Sequence, residues 1–176
     1  MLVAGSVGSS FILINLLDKF LFDEAMDDPE NVKTMLDIIL SQNTNLKHPP
    51  QTEKEQRTSM DNRQIRLDVY AIDEDDVIYE VEAQKENTHN LPKRSRLYQG
   101  IIDSKLLPPG VVDFNLLNEV LIVLIMPFDL FGYGLYRYTF QMKCEEVPEL
   151  KLDDGATRIF LNTRGKHPEL VSPELI

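Results

Sequence analysis

The chain contains no tryptophan and a single cysteine, Cys144. A lone cysteine excludes an internal disulfide and points to a reducing, cytoplasmic compartment. Three scattered histidines (His48, His89, His167) form no Cys/His cluster of the kind zinc requires. Basic residues are also in deficit: 18 Lys and Arg stand against 29 Asp and Glu, a net charge of -11. That balance argues against broad, non-specific nucleic-acid binding, so any nucleic-acid surface has to be local. Long apolar runs are missing too. Residues 1–17, MLVAGSVGSSFILINLL, are uncharged, but Gly and Ser interrupt them and they are short for a membrane span. They also lack the basic start and small-residue cleavage site of a signal peptide. They are expected to be an atypical or disordered leader ahead of one domain over 18–176, with no membrane partner.

What is present is enough for one core, since 43% of residues are apolar. Residues 18–27 and 29–42 read as helices. Asp28 is a cap for the second, Pro29 suits its first position, and Val32, Met35, Leu36, Ile39 and Leu40 recur at helical spacing. Residues 43–64 are polar, with Pro49 and Pro50 together, and fit a long loop or an irregular edge strand. Residues 65–84 read as a hairpin turned at Asp73–Asp76, and 91–107 as a helix opened by Pro92. The run VLIVLIM at 120–126 is a strand covered on both faces. Shorter strands follow at 135–142 and 157–163. Helices first, then strands with an interposed helix, indicate an α/β or α+β core.

The hairpin RLDVYAIDEDDVIYEVEAQ raises the chemical question. Side chains alternate along a strand, so Glu80, Glu82 and Gln84 share one face of its second strand, while Val77, Tyr79, Val81 and Ala83 line the other. A hairpin centred on Asp75 sets Asp68 opposite Glu82. Directly opposed residues have Cβ atoms about 4.5–5.5 Å apart. Carboxylates that close repel unless a cation lies between them, and two carboxylates with water and a phosphate suit Mg²⁺. A solvated hairpin face, with Glu80 and the acidic turn as ordinary surface charge, accounts for the same pattern.

The wider pattern resembles the PD-(D/E)XK nuclease superfamily, whose sites place an Asp on one strand and a (D/E)-x-K pair on the next. More closely, it is similar to the recombination-promoting nuclease/transposase family. The shared features are Arg66-Leu67-Asp68-Val69, Glu82-Ala83-Gln84 and Leu91-Pro92-Lys93-Arg94-Ser95-Arg96. Likeness continues through Tyr98-Gln99, Ile102-Asp103-Ser104, Phe128-Asp129, Tyr138-Thr139-Phe140, Asp154-Gly155 and Leu161-Asn162-Thr163, and covers about 18–170. The resemblance implies a restriction-endonuclease-like core, a central mixed β-sheet flanked by helices. It implies a Mg²⁺-dependent DNA endonuclease, with Mn²⁺ as a substitute ion. Asp68 and Glu82 would hold the metal, with the backbone carbonyl of Ala83. Gln84 stands where the pattern has Lys; its amide can orient water but supplies no charge.

An additional acidic group from the first core helix would be Glu30 or Asp37. Glu30 equally suits the helix N-terminus, and Asp37 flanks the apolar stripe. Lys93, Arg94 and Arg96 are the candidate DNA contacts; the two arginines diverge around the helix, and ion pairing with the acidic hairpin competes with phosphate contact. Tyr98 and Gln99 would brace the site. Asp129 reads as a turn cap, Asn162 as a cross-sheet hydrogen-bonding group and Cys144 as structural. Cutting both DNA strands would call for a homodimer. The resemblance also leads to an expectation of further helical sequence beyond Ile176. The competing readings are an inactive or truncated remnant that binds DNA or protein, and a hydrolase using Asp68 and Glu82 as acid and base, which needs a sugar-sized cleft.

Overall fold

A computed structural model describes residues 19–56 and 65–176. The expected leader and the stretch 57–64 lie outside the described residues. Two helices come first, α1 (Lys19–Met26) and α2 (Pro29–Leu40). The start of α2 follows its sequence: Asp28 accepts from the Glu30 amide at 3.0 Å, and Pro29 occupies the position where a missing N–H costs nothing. Ser41, with φ 55, takes the left-handed conformation that ends it. Val32, Leu36 and Ile39 are buried, as their spacing predicted.

The strands are β1 (Gln51–Gln56), β2 (Ile65–Ile72), β3 (Ile78–Ala83), β4 (Val120–Met126), β5 (Arg137–Phe140) and β6 (Ala156–Asn162), with α3 (Leu91–Leu106) between β3 and β4. They form one mixed sheet in the order β1-β2-β3-β4-β6-β5. The meander β1-β2-β3 is antiparallel, β3 pairs parallel with β4 and β4 with β6, and β5 returns antiparallel at the far edge. A parallel neighbour cannot follow a tight turn, and α3 supplies the crossover. Of the two readings for the polar stretch after α2, part is the edge strand β1.

Each sheet face has its own core. On one, Phe22, Met26, Val32, Leu36 and Ile39 of the first two helices meet Val69, Tyr79, Val81, Val123 and Ile159. On the other, Leu91, Tyr98, Ile101 and Ile102 of α3 meet Tyr70, Ile78, Ile122, Leu124 and Phe160. The architecture is therefore α/β, a mixed sheet with helices on both faces, and β4 is buried on both sides as its continuous apolar run requires. Leu67 breaks simple alternation: it packs with the α3-side cluster although Val69 faces the other way.

The hairpin turn is anchored from inside. Asp73 Oδ1 accepts from the amides of Asp75 (3.0 Å) and Val77 (2.9 Å), and Oδ2 accepts from the Tyr79 hydroxyl at 2.6 Å. Burial, with that bond to Asp73 adding to it, pushes the Tyr79 hydroxyl well above its ordinary pKa.

Candidate functional site

The β2–β3 register is Val69↔Val81, Tyr70↔Glu80, Ala71↔Tyr79 and Ile72↔Ile78, symmetric about Asp75 as the pattern predicted. Continued by one residue, it sets Asp68 opposite Glu82. Neither is solvated. Asp68 retains 7% of its surface, Glu82 8% and Glu80 none, so the solvated-face reading of the hairpin does not hold. The physical reason is the position of β3 inside the sheet, between β2 and β4, with α3 laid over the carboxylate face.

Glu80 is the residue that sequence reasoning missed. Tyr70 and Ile122 flank it on the neighbouring strands, and neither carboxyl oxygen has a hydrogen-bond partner among the described residues. Burial pushes its carboxyl well above the usual carboxylate range; Glu82 and Asp68 add to the rise, and Arg94 opposes it. β3 is interior because it pairs with β2 on one side and β4 on the other, and its polar face therefore meets the crossover helix.

That helix brings Arg94 and Tyr98 to the carboxylates. Arg94 Nη2 donates to Glu82 Oε1 at 2.5 Å and to the side-chain oxygen of Gln84. Its guanidinium lies 5.8 Å from the centre of the Tyr98 ring, within reach of a cation–π contact. Burial raises the Tyr98 hydroxyl far above its ordinary pKa, with Glu82 reinforcing the effect. Tyr98 is thus core and site wall at once. Gln99, also buried, donates from Nε2 to Asp103 Oδ1 at 2.9 Å. Gln84 donates from Nε2 to the Glu86 carbonyl at 2.6 Å, which fixes the amide whose oxygen meets Arg94.

The structure therefore gathers Asp68, Glu80, Glu82, Gln84 and Arg94 on one face of the sheet. Lys93 and Arg96 are on the same helix but exposed, so the two arginines diverge as expected. Glu30 and Asp37 lie on α2, across the sheet from the carboxylates. Glu30 is exposed in the first turn of α2. Asp37 accepts from Lys33 Nζ at 2.6 Å and from the Thr44 amide at 2.5 Å. Burial alone would raise its carboxyl; these bonds overcome that and hold it below the usual range. It braces the chain leaving α2. The side chain of Arg66, from the Arg66-Leu67-Asp68-Val69 motif, lies outside the described residues.

Two other polar residues are structural. Asp129 Oδ1 accepts from the amides of Phe131 and Gly132 and from the Tyr138 hydroxyl, and Oδ2 accepts from Gly134 N at 2.6 Å. Asn162 donates to the Leu135 carbonyl at 3.1 Å and accepts from Arg164 N at 2.9 Å, tying β6 to the segment before β5. An open apolar hollow lined by Phe131, Tyr133, Phe140 and Leu170 shares no residue with the carboxylate cluster.

Among the described residues, no group of three or more His, Cys, Asp or Glu side chains is arranged to hold a metal ion, and no helix is long and apolar enough to cross a membrane. Chemically, the cluster is a set of buried hard-oxygen donors on adjacent strands, closed on one side by a guanidinium. Compared with known proteins, the chain matches no family model, no curated sequence and no solved structure.

Proposed function

We propose that this chain is a Mg²⁺-dependent DNA endonuclease of the PD-(D/E)XK type, related to the recombination-promoting nuclease/transposase family, and that its sheet is a restriction-endonuclease-like core. The observation that carries this reading is the burial of Asp68 and Glu82 on neighbouring strands beside a third carboxyl, Glu80, with no partner for either oxygen among the described residues. A solvated surface has no need of such an arrangement, and a core without function would do better with apolar residues.

The donor set fits the ion. Mg²⁺ takes one or two protein carboxylates and completes its shell with water and substrate phosphate, so an all-protein cage is not required. Asp68 and Glu82 would hold it, and Mn²⁺ would substitute. When bound, the ion supplies a water of lowered pKa and neutralises charge developing on the scissile phosphate. The chain's own residues do the rest. Gln84 is held by Arg94 and Glu86 and presents a fixed amide at the mouth of the cluster, and the buried Tyr98 excludes bulk water from the α3 side. Lys93 and Arg96, exposed nearby, offer phosphate contacts that the acidic remainder of the surface does not.

The test is cleavage of supercoiled plasmid with Mg²⁺. Asp68→Ala and Glu82→Ala are each expected to lower the rate by at least about a hundredfold, the scale on which positioned catalytic groups act. Equal rates for the wild-type chain and both variants would remove the site. A second reading, a retained fold that binds DNA or a protein without turnover, is favoured by one observation: Arg94 closes on Glu82 and Gln84. Salt-dependent DNA binding with no cleavage by the wild-type chain would select it.

A further inference from the structure

Glu82 and Gln84 converge on one guanidinium. Arg94 Nη2 reaches Glu82 Oε1 at 2.5 Å and also the Gln84 oxygen. The Arg94 side chain keeps 24% of its surface and that of Glu82 only 11%, so the arginine sits on the outer side of the pair with a way out to solvent. A guanidinium does not deprotonate at any working pH and remains a cation wherever it lies. The carboxylate it holds is the one assigned above to the metal. Two cations on the two oxygens of one carboxylate lie close together and repel, strongly so where water is excluded.

We propose that Arg94 is an exchangeable counter-cation of the site. While no divalent ion is bound it holds Glu82 and Gln84; an ion arriving at Asp68 and Glu82 displaces it, and its fork then takes a phosphate of the DNA backbone. This inference rests on the metal-nuclease reading and adds a coupling that the reading alone does not contain. The surroundings suit a side-chain movement. Leu91, Ser95, Tyr98 and Gln99 are buried around Arg94 and anchor α3, so the helix stays in place while the long side chain swings. The planar fork matches phosphate as well as it matches carboxylate. Arg94 also brings from α3 the positive charge that Gln84 itself lacks. Because the ion frees the group that DNA engages, each ligand raises the affinity of the other by the same factor.

The test uses the full chain, with calorimetric titration of Mn²⁺ alone and anisotropy of a short labelled duplex with and without Ca²⁺. Arg94→Gln is expected to bind Mn²⁺ about tenfold more tightly than wild type, the size of one charge-assisted contact removed. Arg94→Lys, which keeps the charge and loses the fork, falls between them, and the exposed-site control Lys151→Gln stays within about twofold because a distant surface charge is screened. Ca²⁺ strengthens duplex binding by the wild-type chain more than that by Arg94→Gln, which keeps only the ion's own contact with phosphate. Equal Mn²⁺ affinity in wild type and Arg94→Gln overturns the exchange and leaves the metal site standing. Tighter Mn²⁺ binding with the same Ca²⁺ effect on DNA in both proteins overturns the phosphate half. No Mn²⁺ binding by any of the proteins overturns the metal reading and the exchange together.

Discussion

Glu80 lies between Tyr79 and Val81 on a strand with neighbours on both sides, and burial there raises its carboxyl above the ordinary value of 4.5. Above that value the unfolded chain gives up a proton that the folded chain retains, so Glu80 makes stability fall as pH rises. Glu80→Met keeps the length and removes the ionisable group. At neutral pH it is expected to stabilise the fold by about 1–3 kcal/mol, as replacement of buried charged groups by apolar ones commonly does. The gain should shrink as pH falls through 4.5, below which both states hold the proton. Chemical denaturation at several pH values measures it; a destabilised variant would mean that Glu80 has partners the fold depends on. The same residue shows the limit of reading a face from alternation. Period-two spacing placed Glu80 beside Glu82, but whether that face meets water or a helix depends on what crosses over it.

Among the elements, the crossover helix α3 decides the character of the site. Its first turns carry Arg94 inward and leave Lys93 and Arg96 outward, a division that follows from a helix period of 3.6 residues. The boundaries of α2, α3 and β4 were legible because each has strong local signals: the Asp28 cap with Pro29, Pro92 near the start of α3, and an uninterrupted apolar run. The register about Asp75 was legible too, since the acidic turn fixes the centre of the hairpin. What could not be read was the packing of Arg94 on Glu82 and Gln84, or the placement of α2 across the sheet from the carboxylates. Those depend on contacts distant in sequence, for which local spacing carries no information.

Asp129 supports the segment joining β4 to β5 and provides a pH test of opposite sign to Glu80. Burial alone would raise its carboxyl; hydrogen bonds from Tyr138, Gly134, Gly132 and Phe131 overcome that and hold it below the ordinary 3.8. A depressed carboxylate stabilises the fold above the unfolded value, and that contribution disappears as pH falls through the folded value. Asp129→Ala is expected to cost about 1–3 kcal/mol at pH 7, since it leaves several donors without their acceptor. The gap from wild type should narrow below pH 3.8. A gap that stays constant to low pH would show that the side chain acts through packing alone.

For the whole molecule, the net charge of -11 opposes approach to DNA, and the carboxylate cluster adds to the negative field at the point where cleavage is proposed. A divalent ion is the most economical way to reverse the sign there, and Lys93, Arg94 and Arg96 line one helix beside it. The proposed cleavage therefore depends on a metal ion between Asp68 and Glu82. Its most direct measurement is anomalous scattering from a crystal of the protein soaked in Mn²⁺. A peak is expected in contact with carboxylate oxygens of both Asp68 and Glu82, with the Arg94 guanidinium moved off Glu82. Absence of a peak at these two residues, with Arg94 still paired to Glu82, would contradict it.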